Sequence, residues 1–206
     1  MMEITAIEPR RKSFSALYLD GEFAVKIDTE TLLRSGYRLG QTITDEQLHQ
    51  LIVDSDRRRA QERALYLLEH RSHSKGELVE KICRTTSAEA AEAAADRMEE
   101  LGLIDDEEYG RRYAAELFRR KGYSSSRVVF ELTKKGIDKD FAQAVAEELA
   151  PDPEETICAI LEKKYPRCME DEKEQRRAVA ALKRLGYRWD DIKAALTAYG
   201  EEQEED

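Results

Sequence analysis

Basic side chains gather around one stretch, RRKGYSSSRVVFELTKKG at residues 119–136, although the formal net charge of the chain is −10. Cations from two successive helices that meet at one turn would form a positive surface, suited to phosphate groups or to an acidic protein groove. We call the candidate set the basic ridge. It comprises Arg71, Lys75, Arg111, Arg112, Arg119, Arg120, Lys121, Arg127, Lys134 and Lys135.

A plainer explanation fits many of these cations individually. Lys134 and Lys135 stand just before Gly136, where a helix is predicted to end and its dipole favours positive charge. Others suit a solvated helix face. Both explanations stay open for single residues, but the grouping of one sign at 111–135 favours a binding surface.

Residue types that catalyse reactions or hold metals form no comparable pattern. His70 and His73 are three residues apart, but they straddle a predicted helix boundary and have no carboxylate or thiol at ligand spacing. Cys158 and Cys168 flank a proline-containing turn without a partner histidine. Paired acidic residues stand at predicted helix starts, where capping explains them. We therefore expect no enzyme activity, no metal and no cofactor.

Composition favours a helical protein that works in the cytoplasm. Hydrophobic residues make up 41% and charged residues 38%, and glycine and proline are scarce among the 206 residues. The start lacks an apolar signal core, and no apolar run is long enough to cross a membrane. The three cysteines share no short spacing and read as reduced thiols. We also expect a monomer.

Charge is unevenly distributed along the chain. Residues 57–136 carry 17 basic and 15 acidic side chains, whereas 137–206 carry 11 and 19. The final residues, EEQEED, are predicted to be an unstructured acidic tail. Because affinity for phosphate scales with the cations that reach the backbone, binding to free DNA should be weak and salt-sensitive.

The first 50 residues predict a small β-containing segment. Asp20-Gly21 between two β-prone runs indicates a hairpin, and a short helix and a further strand near Thr42–Ile43 should follow. Thr44, with Gln47 three residues later, has the pattern of a helix capping box.

From Asp54 onward the apolar residues have a helical period. Three helix ends read alike, each with a glycine, an apolar residue and an acidic start to the next helix, at 99–109, 133–145 and 183–196. A period near 45–50 residues predicts tandem three-helix repeats. The predicted parts are an N-terminal hairpin segment (1–56), three repeats (57–104, 105–151 and 152–200) and the acidic tail (201–206).

These helical stretches also resemble a known family. LLEHRSHSKGELVEKI (67–82), ELGLIDDEEYGRRY (100–113), KGYSSSRVVFELTKKGID (121–138) and LKRLGY with WDDIKAAL (from 182) are similar to motifs of the RecX family in their order and spacing. The resemblance spans nearly the whole chain. It implies a mainly α fold of three-helix repeats in an elongated, curved module behind the β-hairpin.

The resemblance also implies a function. RecX-like proteins bind along the groove of the RecA filament on single-stranded DNA. They modulate, mostly by inhibition, the ATPase, strand-exchange and coprotease activities of RecA, and so affect recombination, DNA repair and the SOS response. They are not enzymes and need no cofactor.

Two other functions remain open from the residues alone. One is a helical adaptor that binds only proteins. The other is a DNA-binding repressor whose recognition helix begins at Ser124–Arg127, although the acidity of the chain argues against tight duplex binding.

Among aromatic residues, Tyr123 is the candidate for exposure and stacking, Phe130 is a marginal core position, and Trp189 resembles a core residue.

Overall fold

The computed structural model describes residues 1–11 and 13–205, with side chains as far as Glu201. The strands are β1 (Met2–Arg10), β2 (Phe14–Leu19), β3 (Glu22–Asp28) and β4 (Thr42–Ile43). The helices are α1 (Thr29–Ser35), α2 (Asp45–His70), α3 (Lys75–Ile82), α4 (Ala88–Glu100), α5 (Asp106–Glu116), α6 (Ser125–Lys134), α7 (Lys139–Leu149), α8 (Pro153–Lys164), α9 (Glu172–Arg184) and α10 (Trp189–Glu205). The predicted class, mainly α with a β segment at the N-terminus, is confirmed. The chain forms two compact units, Met1–Ile104 and Asp105–Asp206.

The N-terminal strands form an antiparallel sheet in the order β3-β2-β1-β4. The predicted hairpin is present between β2 and β3. Asp20 and Gly21 both have positive φ, 50° and 88°, as a two-residue hairpin turn of this type requires. The sequence prediction missed the nine-residue strand β1, which supplies buried Ile4 to the core beneath the sheet.

Helix α2 joins the sheet to the helical part of the chain. Its predicted capping box is confirmed, because Thr44 Oγ1 accepts the Gln47 amide and the Gln47 side chain accepts the Thr44 amide. Leu51 packs in the core of the sheet, whereas Ala60 and Ala64 pack against the next helices. The helix runs through 26 residues without a break, so the boundary predicted at 56/57 falls inside it.

Buried side chains from successive helices form three further clusters. The first extends from Ala60 to Ile104 on α2, α3 and α4. The second extends from Tyr109 to Ala146 on α5, α6 and α7, and the third from Ile157 to Tyr199 on α8, α9 and α10. The repeat boundaries stay a prediction. Each of the three clusters falls within one predicted repeat.

The three similar helix ends close in the same way. Gly102, Gly136 and Gly186 have positive φ, and the residue after each glycine donates its amide to a carbonyl five residues earlier. These bonds measure 2.9, 3.2 and 3.2 Å, and the glycine amide donates to the carbonyl three residues before it. This is the Schellman motif, in which a left-handed residue satisfies the last carbonyls of a helix.

The C-terminal end departs from its prediction. Helix α10 continues to Glu205, where an unstructured acidic tail was expected. Asp206 and the side chains of residues 202–205 lie outside the described part. Among the described residues, no helix has both the length and the apolarity needed to cross a membrane.

Gly186 and Gly102 provide a matched pair of substitutions. Alanine at either glycine would take a left-handed conformation that costs about 1–2 kcal/mol. A Cβ at Gly102 meets nothing within 4 Å, whereas a Cβ at Gly186 would lie 2.5 Å from Ser124 Oγ and 2.7 Å from Arg127 Cβ. We expect Gly186→Ala to cost roughly 1–3 kcal/mol more than Gly102→Ala in urea unfolding followed by circular dichroism. Equal losses would contradict the close packing at Gly186.

Candidate functional site

The basic turn lies at the end of the α5 segment. After Glu116 the helix widens into a π-helical turn, Leu117–Lys121, which Gly122 ends with a φ of 63°. Leu117 and Phe118 are buried in this turn. Arg119, Arg120 and Lys121 follow them and are exposed. Turns of this kind are rare and often occur at functional sites.

The third helical cluster holds the start of α6 in place. The Ser124 amide donates to the Leu185 carbonyl at 3.0 Å, and Ser126 Oγ donates to the Gly186 carbonyl at 3.2 Å. Ser124 Oγ also caps α6 by accepting the Arg127 amide. The turn between Lys121 and α6 is therefore fixed against the Schellman closure at Gly186.

Arg127 lies against two aromatic rings at this junction. Its guanidinium lies 5.6 Å from the centre of the Tyr123 ring and 5.1 Å from that of Phe130, and it pairs with Glu131 at 2.7 Å. Tyr123 is half-buried and packs partly on the second cluster, so its predicted exposure is only partial. Phe130, the marginal core position, is 54% exposed.

Several cations of the basic ridge are paired with carboxylates. Arg111 Nη1 lies 2.6 Å from Glu148 Oε2, and this carboxylate raises the pKa of Arg111. Arg120 pairs with Glu116 at 2.9 Å, and Arg112 lies 3.8 Å from Glu108. Exposed pairs of this kind contribute little stability, but they reduce the local positive charge.

Three cations of the ridge have no carboxylate partner among the described residues: Arg119, Lys121 and Lys134. Arg119 and Lys121 lie on the π-helical turn. Lys134 lies at the far end of α6, about 14 Å along the helix from its start. Lys135 follows it, with Nζ 5.9 Å from the centre of the Tyr113 ring. The ridge cations of this region thus lie on the π-helical turn, at the start of α6 (Arg127) and at the end of that helix (Lys134 and Lys135).

Arg71 and Lys75 belong to the first compact unit and take part in ion pairs there. Arg71 binds both oxygens of Glu77, at 2.7 and 3.1 Å. Lys75 binds Asp96 and Glu99 at 2.8 and 2.7 Å, and these carboxylates raise its pKa.

The histidines and cysteines are not part of the basic ridge. His70 is exposed, and its ring lies beside that of Tyr66, with centres 4.3 Å apart and planes inclined by 43°. His73 is 3% exposed and has a carboxylate neighbour that the sequence prediction missed, with Glu77 Oε2 3.1 Å from its Nδ1. Cys168 is buried, and burial raises its pKa. Within the described residues, no group of three His, Cys, Asp or Glu side chains could hold a metal ion.

Trp189 contradicts its prediction as a core residue. It is 52% exposed, and Lys183 Nζ lies 5.3 Å from the centre of its ring. The sequence signal was misleading because Trp189 occupies the first position of α10, ahead of the buried Ile192 and Ala195. A first-turn residue can point away from the core that the rest of its helix covers.

Several known proteins similar to this chain carry the same name. A relative called "Regulatory protein RecX" in Caldanaerobacter subterraneus subsp. tengcongensis is 30% identical over 203 residues, covering 95% of this chain and 98% of the relative. The chain belongs to the RecX family. Another RecX relative, in Clostridium tetani, is 25% identical and covers 94% of this chain and 93% of its own length.

Domain and structure comparisons agree with this family. Residues 105–145 match the domain described as "RecX, second three-helix domain". A crystal structure of a regulatory protein RecX aligns with a TM-score of 0.59 at 20% identity, over 94% of this chain and 100% of the other. RecX from Lactobacillus salivarius aligns with a TM-score of 0.58 at 21% identity, over 70% and 97%. These two structures share the fold.

The matched RecX domain contains most of the basic ridge. Eight of its ten cations, from Arg111 to Lys135, lie within residues 105–145. Leu185 and Gly186, whose carbonyls accept the hydrogen bonds that fix the start of α6, lie beyond that range. A RecX second domain taken alone would therefore lack the contacts that fix the start of α6 here.

His73 predicts a pH dependence of stability. Burial, reinforced by the positive charge of Arg71, lowers the pKa of His73 below its ordinary value of 6.5. The unfolded chain therefore takes up the proton first, and the free energy of unfolding should fall as the pH drops below about 6.5. His73→Gln should flatten this fall between about pH 6.5 and 5 in urea unfolding. The exposed His70 gives the control, His70→Gln. An unchanged slope in His73→Gln would contradict the assignment.

Proposed function

We propose that this RecX-family protein regulates RecA by binding in the groove of the RecA filament on single-stranded DNA. It modulates, mostly by inhibition, the ATPase, strand-exchange and coprotease activities of RecA, and through them affects recombination, DNA repair and the SOS response. The protein acts in the cytoplasm as a monomer and without catalysis or a cofactor. Its three helical repeats are 57–104, 105–151 and 152–200.

The basic turn is the observation that carries this proposal. Arg119 and Lys121 are exposed cations without a carboxylate partner among the described residues, on a turn that ends three residues before Ser124, whose amide donates to the Leu185 carbonyl. A backbone that is already held in place beside a cation has less conformational entropy to lose on binding than a mobile one. The turn therefore suits recognition of a surface that presents negative charge at a fixed place.

The pairing of the other cations supports a nucleoprotein partner over free DNA. Arg111, Arg112, Arg120 and Arg127 have carboxylate neighbours, and the net charge of the chain is −10. Few cations of the ridge thus remain to neutralise phosphates, so its affinity for naked DNA is low. A filament adds protein contacts that compensate for this shortage.

Charge reversal tests the assignment of the turn. We expect Arg119→Glu combined with Lys121→Glu to weaken inhibition of RecA ATPase on single-stranded DNA by about tenfold or more, because attraction to the negatively charged partner surface becomes repulsion. Arg176→Glu combined with Arg177→Glu on α9 is the control, because it makes the same change in net charge within the same compact unit. Helicity should be unchanged in both variants.

The outcomes separate the candidate functions. Full inhibition by the turn variant would refute the site. Gel shifts with duplex and single-stranded DNA, with and without RecA, distinguish the filament regulator from the repressor and from the protein-only adaptor. Binding to duplex DNA without RecA would support the repressor, and binding to a protein partner with no salt dependence would support the adaptor.

A further inference from the structure

Two exposed aromatic rings in the unit Asp105–Asp206 each have a cation beside them. Phe130 is 54% exposed and Arg127 lies 5.1 Å from its ring centre, while Trp189 is 52% exposed and Lys183 lies 5.3 Å from its ring centre. Large aromatic side chains usually bury most of their surface. Neither ring is needed to fill the core beneath it, since Val128, Leu132 and Ile192 are fully buried there.

The two aromatic–cation pairs adjoin each other at Gly186. A Cβ placed on Gly186 would lie 2.7 Å from Arg127 Cβ, so this loop touches the stem of the arginine that lies beside Phe130. Lys183 and Trp189 stand three residues before and three residues after Gly186. Arg127 with Phe130, and Lys183 with Trp189, are thus both linked to the Gly186 closure, inside a single compact unit.

The outer face of α6 extends this surface. Ser126, Phe130 and Lys134 are exposed at intervals of four residues, which places them in one row along the helix. Lys134 has no carboxylate partner in the described part of the chain. Along this row, the Phe130 ring lies between the Ser126 hydroxyl and the Lys134 ammonium group. Arg127, which is next to the row, is partly neutralised by Glu131.

This combination suits unpaired nucleic-acid bases better than a protein surface. A protein partner would favour a continuous apolar patch, whereas here the rings are separated by a glycine turn and bordered by cations. Bases stack on isolated aromatic rings whatever their sequence, and neighbouring cations meet the phosphates between them. Each exposed ring here has a cation beside it, Arg127 at 5.1 Å from Phe130 and Lys183 at 5.3 Å from Trp189, as a stacked base with a neighbouring phosphate requires.

We propose that Phe130 and Trp189 are stacking positions for the bases of single-stranded DNA, with Lys183 and Lys134 contacting the adjoining phosphates. The inference rests on the proposed function in one respect, because the strand it contacts in the cell is the DNA of the RecA filament. The stacking itself is a property of this chain and is tested without RecA.

Trp189 supplies its own probe because it is the single tryptophan of the chain. A dT oligonucleotide at low salt should quench its fluorescence, since a stacked base deactivates the excited indole. An abasic oligonucleotide with the same number of phosphates should quench much less and bind more weakly. Absence of quenching by dT, or equal binding of the two oligonucleotides, would overturn the proposal.

Ring variants test each position separately. Phe130→Ala and Trp189→Ala should each weaken binding of a fluorescein-labelled dT oligonucleotide on the order of tenfold in anisotropy titrations. Phe130→Tyr and Trp189→Phe keep a ring and should bind within about twofold of the wild type. Phe23→Ala removes an equally exposed ring, 53% exposed, from β3 and should leave binding unchanged.

The two proposals fail in different ways. If the alanine variants keep wild-type helicity and wild-type affinity for dT, stacking is wrong whatever RecA shows. If they lose inhibition of RecA but bind dT normally, the rings contact protein and the stacking proposal is overturned. If they lose dT binding while the wild type does not inhibit RecA, stacking stands and the regulatory proposal falls.

Discussion

The backbone bond from the Ser124 amide to the Leu185 carbonyl is the contact on which the candidate surface depends. It joins the first residue before α6 to the closure of α9, and the Ser126–Gly186 bond reinforces it. Because a side chain at residue 186 would collide with Ser124 and Arg127, only glycine permits this approach. The stem of Arg127, whose guanidinium lies beside the Phe130 ring, adjoins this junction, and Trp189 follows Gly186 by three residues.

Electrostatic compensation decides how much of the basic ridge can act on a partner. In an acidic chain, a cation that pairs with a carboxylate of the same chain attracts a polyanion less. Binding a polyanion therefore requires that some cations stay without such a neighbour. Glu108, Glu116 and Glu131 lie beside cations on their own helices, whereas Arg119 and Lys121 have no such neighbour among the described residues. Within the basic ridge, Arg119 and Lys121 on the π-helical turn and Lys134 at the end of α6 are thus the cations left for a partner.

Local chemistry explains why so much of the fold could be predicted. The Asp20-Gly21 turn, the Thr44 capping box and the glycine closures each depend on residues within six positions of one another. The pairing of Arg120 with Glu116 also has a visible signal, the four-residue spacing of opposite charges on a helix. Strand β1 was missed although its partner β2 follows it closely, because the intervening residues 11–13 carry no Asp-Gly or Asn-Gly turn signal.

The sequence by itself determined the helical class, the repeated glycine closures and the location of the basic turn, since each follows from short-range steric and hydrogen-bonding preferences. Only the tertiary structure decided which cations remain available and which aromatic rings face solvent. Arg111 meets Glu148 across 37 residues, and the Gly186 closure reaches Ser126 across 60. Contacts of that range depend on how whole helices pack, which no local preference specifies.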